Sequence, residues 1–210
     1  RPEQFEPILR KFGRDGFWDM GRKFGTLGAM RRRADGTEVQ VEVTTYRTDA
    51  YNPDSRKPEV AYGDTLEGDL SRRDFTVNAM ALRVPELEFV DPFGGANDLA
   101  KGVLRTPVDP RQSFDDDPLR MMRAVRFVAQ LGFSIEPETA EAMYDMTDRI
   151  RIVSAERVRD ELVKTLLSDR PRAGIEALVE SGLASCSRKS PRSNCRSKNT
   201  IATRTYSNTP

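Results

Sequence analysis

Apolar and polar residues alternate in two stretches of the first third of the chain, and further on the period becomes helical. Lys23-Phe-Gly-Thr-Leu-Gly-Ala-Met30 and Glu38-Val-Gln-Val-Glu-Val-Thr-Thr45 flank a turn containing Asp35-Gly36, which predicts a β-hairpin. In the second strand Val39, Val41 and Val43 take one face. Gln40, Glu42 and Thr44 take the other, so Glu42 points to solvent or to a site. Residues 46–66, rich in Asp, Pro, Asn, Arg and Tyr, read as a long loop. A short helix is expected over 71–81, and Phe89-Val90 ends a strand before the turn Asp91-Pro-Phe-Gly-Gly95. From about Asp116 the pattern is helical, with Leu119, Met122 and Val125 as an apolar stripe and Gly132 as a stop. Further helices are expected at 137–149, at 154–168 with Ser154 as N-cap, and at 171–181 ending at Gly182. The fold class is therefore α+β. A mixed part over 1–110 precedes an all-helical part over 111–184, and in the tail, 185–210, apolar periodicity stops.

Composition narrows the chemistry. Lys and Arg number 34 against 33 Asp and Glu, so phosphate binding, if present, rests on local clusters rather than net charge. No apolar run approaches a membrane span, which leads to the expectation of a cytoplasmic protein with no membrane partner. Cys186 and Cys195 both lie in the tail, which argues against a disulfide framework and a CxxC metal site. The first residue is Arg rather than Met, as expected of a fragment.

Two segments concentrate charged residues beside apolar ones, Gly68 to Ala81 and Ser113 to Phe127. Asp117 and Arg120 stand three apart at an expected helix start. On spacing alone, an ordinary surface ion pair is the leading account. The alternative follows from base edges: cytosine and adenine present an amino donor beside a ring-nitrogen acceptor, whereas uracil and guanine present a carbonyl and a ring N–H. A carboxylate beside a guanidinium would choose the first pair. Arg120, Arg123 and Arg126 recur every three residues, either as a solvated face or as bidentate phosphate ligands. Arg72, Arg73 and Asp74 serve equally as surface charges or as a grip on ribose and phosphate. Arg31, Arg32 and Arg33 are most simply a soluble turn. Glu42 supplies one carboxylate, whereas two-metal phosphoryl transfer needs several converging on one point.

Taken in order, Phe24-Gly-Thr26, Val41-Glu-Val-Thr-Thr-Tyr-Arg47, Gly63-Asp64, Asp69 to Met80, Asp91-Pro-Phe-Gly-Gly95, Asp116-Asp-Pro-Leu-Arg120 and Arg123-Ala-Val-Arg-Phe127 resemble the class II nucleotidyltransferases. That family comprises bacterial CCA-adding tRNA nucleotidyltransferases and poly(A) polymerases, and the resemblance runs from Arg1 to about Ala184. It implies a partial polymerase-β-like head followed by a helical neck. It also implies tRNA, CTP and ATP as partners and Mg2+ as cofactor. Arg72, Arg73 and Asp74 would bind ribose and phosphate, Asp117 and Arg120 would read the base, and Arg123 and Arg126 would meet the triphosphate. Glu42 falls on the strand acid that supports the metal carboxylates. The family's opening Gly-Gly-x-Val-Arg-Asp turn and Asp-x-Asp pair have no counterpart here, which implies a chain that does not transfer nucleotides by itself. Two other readings stay open, a poly(A) polymerase and a non-catalytic nucleotide- or RNA-binding remnant. The tail is either a disordered basic segment or an out-of-frame reading of a His/Asp-rich hydrolase domain, which would account for the absence of histidine.

Overall fold

The computed structural model describes residues 1–50, 59–62 and 65–187. It opens with helix α1 (Pro2–Phe12), whose Phe5, Leu9 and Phe12 recur at helical spacing and pack on Leu27 and Ala29. These two residues belong to a three-stranded antiparallel sheet of β1 (Gly16–Trp18), β2 (Thr26–Arg32) and β3 (Glu38–Thr44), in that order. The predicted hairpin is therefore present. Thr26 lies opposite Thr44 and Arg32 opposite Glu38, with Gly36 at φ 86° in the left-handed turn position. Val41 and Val43 pack toward α1, while Glu42 is exposed.

Several expectations need correction. Within the stretch read as a loop over 46–66, β4 (Arg47–Ala50) pairs antiparallel with β5 (Glu59–Tyr62), and α2 (Leu66–Ser71) has already begun. Asn52, Pro53 and Asp54, which suggested a loop, fall outside the described residues, as do Gly63 and Asp64. The helix expected over 71–81 does not form as one piece. Helix α2 stops at Ser71, Arg72 to Phe75 turn, Thr76–Asn78 make a single 3-10 turn, and β6 (Ala81–Arg83) pairs with β7 (Glu88–Val90). Asp74 explains the interruption. Its Oδ1 accepts from the Phe75 backbone N–H at 2.9 Å and from the Asn78 amide at 3.0 Å, local bonds that compete with helix formation.

Asp91 caps α3 (Gly95–Lys101) by accepting from the N–H groups of Gly95 and Ala96. Helical structure then starts earlier than expected, at α4 (Pro110–Asp116), because Asp109 accepts from Arg111 and Gln112 at the N-cap and Pro110 occupies the first turn. Pro118 disfavours helical backbone at the residue before it, and Asp117 is accordingly extended at φ −144°, ψ 96°. Helix α5 (Leu119–Leu131) resumes after that break. The remaining helices are α6 (Pro137–Asp145), α7 (Ala155–Leu166) and α8 (Pro171–Glu180), with a 3-10 segment at Thr147–Ile152. The second half also contributes a strand: β9 (Ser134–Ile135) pairs in parallel with β8 (Val103–Leu104).

Helix α5 runs through the larger core, where Met121, Met122, Ala124 and Val125 are buried beside α7 and α8. Phe75 and Leu104 join that core, which therefore crosses the boundary expected at residue 110. This arrangement holds the turn at 72–75 against α5.

Candidate functional site

An open cleft of about 690 Å³ lies where the 72–75 turn, the helix break at Asp117 and one side of α5 meet. Arg72, Arg73 and Asp74 reach it from the turn, Asp117 from the break, and Arg120, Arg123 and Arg126 from the helix. Of the eight residues that the sequence nominated, only Glu42 is not among the lining residues. Thr44, on the same face of β3, does line the cleft, which puts Glu42 two residues away, roughly 7 Å along the strand. Six guanidinium groups, those already named and Arg157, stand against the carboxylates of Asp69, Asp74 and Asp117. That excess suits a compact polyanion.

The three α5 arginines do not form a single solvated face. Three residues advance a helix by about 300°, so each successive arginine is turned by about 60°. Arg120 consequently points inward and is buried. Its Nη1 donates to the Ser113 hydroxyl at 2.8 Å and to the Ser113 carbonyl at 3.2 Å, and its Nη2 donates to the Arg72 carbonyl at 2.5 Å. Burial pushes its pKa below the ordinary arginine value, against the nearby charges of Asp117, Asp116 and Asp74, which favour the charged form. Among the described residues its Nε–H and one Nη2–H have no assigned acceptor.

Arg123 is turned toward Asp74, whose Oδ2 accepts from Nε at 2.8 Å and Nη2 at 2.5 Å. With Phe75 N–H and the Asn78 amide on Oδ1, the four acceptor positions of this buried carboxylate are filled. A ribose hydroxyl reaches Asp74 only by displacing a donor, and of the two neutral ones the Asn78 amide is on a side chain that can swing aside. Arg126 turns further, to buried Glu161 on α7 at 2.6 Å, and lies 4.3 Å over the Phe127 ring. Asp117 receives Leu119 N–H on Oδ1 at 3.2 Å and Arg157 Nη2 on Oδ2 at 3.3 Å. Asp117 and Arg120 therefore do not share the bond that the surface-pair reading required. Arg73 donates to Asp69 at 3.1 Å, and Arg72 lies 3.8 Å from the same carboxylate.

Asn78, Phe127, Arg157 and Glu161 take part in the site without having been nominated. The first two stand in the segments that carried the resemblance, and Phe127 meets Phe75 edge to face at 5.8 Å. Arg157 and Glu161 come from a helix that in sequence is an ordinary charged amphipath, so only tertiary contact reveals them.

The divalent ion implied by the resemblance does not fit what is described here. Among the described residues no group of three or more Asp, Glu, Cys or His is placed to hold a metal, and Glu42 stands as one exposed carboxylate. Also among the described residues, no helix is long and apolar enough to cross a membrane.

Comparison with known proteins bears on the family and the fold. Residues 1–105 match the family model described as Poly A polymerase head domain, and residues 132–186 match that described as Probable RNA and SrmB- binding site of polymerase A. The CCA-adding enzyme of Bacillus velezensis is 40% identical over 166 residues, covering 79% of this chain and 40% of its own length. The crystal structure of the Bacillus stearothermophilus CCA-adding enzyme in complex with CTP superposes with a TM-score of 0.70 at 35% identity, covering 80% of this chain and 39% of that one. The Thermotoga maritima CCA-adding enzyme complexed with tRNA gives 0.64 at 27% identity, covering 87% and 40%. The chain thus spans about 40% of the length of the curated relatives it matches. By its head-domain match and the order of its motifs, the chain belongs to the poly A polymerase head-domain family of class II nucleotidyltransferases, the family of the CCA-adding enzymes.

Proposed function

We propose that the cleft binds CTP and ATP and excludes UTP and GTP, as the nucleotide-selecting part of a CCA-adding tRNA nucleotidyltransferase. The observation that carries this reading is convergence: two separate stretches of sequence, 72–74 and 117–126, deliver seven nominated side chains to one cleft. Asp117 accepts from the exocyclic amino group, and the unassigned N–H groups of Arg120 donate to the ring nitrogen. Arg72, Arg73, Arg123 and Arg126 meet the ribose and triphosphate, with Asp74 accepting a ribose hydroxyl in exchange for the Asn78 amide. The reaction served is attack of a tRNA 3′-hydroxyl on the α-phosphate of the bound nucleotide, with pyrophosphate leaving. A divalent ion, if bound, would supply charge neutralisation at the phosphates, but the described residues offer it only Glu42 as a single exposed carboxylate, and no step runs through it. These 210 residues hold the nucleotide without transferring it.

The test is Asp117→Asn in the 210-residue polypeptide. An amide offers both an acceptor and a donor, so it accommodates the carbonyl of uracil and guanine as well as the amino group. Calorimetric titration should show UTP and GTP gaining about tenfold relative to CTP and ATP, within the range for one base-edge contact. An unchanged preference would remove Asp117 from base selection. Incubation of the unaltered polypeptide with Mg2+, CTP, ATP and a tRNA lacking its 3′ CCA should give no extension, and extension would contradict the division between holding and transferring. A poly(A) polymerase would bind ATP and ignore CTP.

A further inference from the structure

The basic turn of the β2–β3 hairpin takes no part in the cleft. Arg31, Arg32 and Arg33 line a separate cavity of about 290 Å³ together with Phe12, Ala34 and Val39. Leu27, Ala29 and Arg31 share the face of β2 turned to α1, and because α1 ends at Phe12, Arg31 stands just past the helix, opposite Val39. Arg33, two residues on, keeps that side, with its N–H donating to the Thr37 carbonyl at 2.8 Å. Arg32 is engaged elsewhere: Nη2 donates to Glu38 at 2.6 Å, and the backbone N–H donates to Asp15 at 2.7 Å, which ties the segment after α1 to the hairpin. Lys11 and Arg14 flank Phe12 at the end of α1. Among the described residues, exposed Lys11, Arg14, Arg31 and Arg33 have no ion-pair partner.

We propose that this cavity is a docking site for single-stranded nucleic acid, with one base against Phe12 and the phosphates beside it on Arg31 and Arg33. The two arginines stand roughly 7 Å apart along the strand, about the spacing of consecutive phosphates in an extended chain. Their planar guanidinium groups meet phosphate oxygens in pairs. Half-buried Phe12 and Val39 give the cavity an apolar floor inside this basic rim, and an aromatic platform in a basic groove is the combination that holds an unpaired strand. The volume lies at the lower edge of the range for ligand pockets, about 300–1,000 Å³, which suits one base better than a whole nucleoside triphosphate. Val39 is five residues from Thr44, the β3 residue in the cleft, so the two sites stand roughly 17 Å apart along the strand. The proposal therefore does not depend on nucleotide selection in the cleft.

Other uses of the charge account for less. Cations favour the carbonyl end of α1, but that effect falls off within one helical turn and leaves Arg33 at the hairpin tip without a role. An anionic membrane would attract the arginines, yet the tip Ala34-Asp35-Gly36-Thr37 has no large apolar side chain to insert, and Asp35 would face the lipid charge. A polyanion without bases would use the arginines and ignore Phe12. The contribution of the ring therefore separates a strand from charge alone.

The experiment follows the anisotropy of short labelled oligoadenylate and oligodeoxyadenylate over a salt series, with the 210-residue polypeptide, the Arg31→Gln/Arg33→Gln double variant and Phe12→Leu. Heparin, vesicles of phosphatidylserine in phosphatidylcholine, and CTP serve as further probes, and the tighter oligomer names the preferred strand. The double variant should reduce the slope of log affinity against log salt by about 0.7 for each arginine removed, with CTP affinity unchanged. Phe12→Leu, which keeps an apolar side chain against Leu27 and Ala29, should weaken oligomer binding by about fivefold or more and leave heparin binding unchanged. If its melting temperature shows that Phe12→Leu does not fold, the exposed arginine pair carries the test. Parental affinity and slope in the double variant would overturn the proposal. So would folded Phe12→Leu with parental oligomer affinity, which would leave a merely charged surface. Vesicle binding that needs the arginines while oligomer binding does not would assign the patch to a membrane instead, and a parallel loss of CTP affinity in the double variant would show that it reports on the cleft; each result contradicts the proposal.

Discussion

Arg120 brings a positive charge into the interior, and what surrounds it determines whether it can read a base. Ser113, itself fully buried, supplies both hydroxyl and carbonyl to one end of the guanidinium, and the Arg72 carbonyl supplies the other. The group is thus fixed in orientation by acceptors that carry no full charge, while its remaining N–H groups stay available. Ser113→Ala removes one acceptor from a buried charged donor. It should destabilise the fold by about 2 kcal/mol, read as a lower urea midpoint with unchanged slope. A midpoint equal to that of the parent would mean that the backbone carbonyls of Ser113 and Arg72 suffice to anchor Arg120. Because the Arg72 carbonyl belongs to the 72–75 turn, the residue proposed to choose the base is tied directly to the element proposed to hold the sugar.

At the scale of elements, the turn at 72–78 is held by α3 as well as by α5. Asp98 on α3 accepts from the Thr76 hydroxyl at 2.6 Å and from Arg105 Nε at 3.0 Å, and Thr76 N–H donates to the Arg105 carbonyl at 2.8 Å. Gly95 opens α3 directly against this turn, and a Cβ there would stand 2.1 Å from the Thr76 carbonyl oxygen. A backbone atom cannot rotate aside, so Gly95→Ala must shift the turn. The variant should lose about 1–3 kcal/mol of stability and also bind CTP more weakly. Thermal denaturation and calorimetry check the two effects, and full CTP affinity in a destabilised variant would show that α3 does not position the turn. The same element shows where sequence reasoning stopped. Helices α5, α7 and α8 were legible because apolar spacing, Ser154, Gly132 and Gly182 mark them directly. The break at Asp117 was not, because Asp115 to Asp117 looked like the start of one helix. They are in fact the end of α4 and the joint imposed by Pro118. Helix α1 has no clear local signature, because Pro7 in its interior opposes the helical period of Phe5, Leu9 and Phe12.

At the scale of the whole molecule, two cores among the described residues divide the work. The smaller one joins α1 to the first sheet and carries Thr44 and Glu42, while the larger one centres on α5 and fixes the cleft. Local motifs nominated the cleft residues because the side chains proposed to grip the ligand stay close in sequence to the turn or helix that presents them. The partners that orient them, Arg157, Glu161 and Asp98, lie 22 to 40 residues away and show no local signature. Since the proposed grip on the triphosphate is made of guanidinium groups, CTP affinity should fall as salt is raised, and the preference among bases should hold, because it rests on short hydrogen bonds. The most direct measurement is equilibrium titration of the 210-residue polypeptide with each of the four ribonucleoside triphosphates at one salt concentration. The account predicts comparable dissociation constants for CTP and ATP and values at least about tenfold weaker for UTP and GTP. Equal affinity for all four would contradict it.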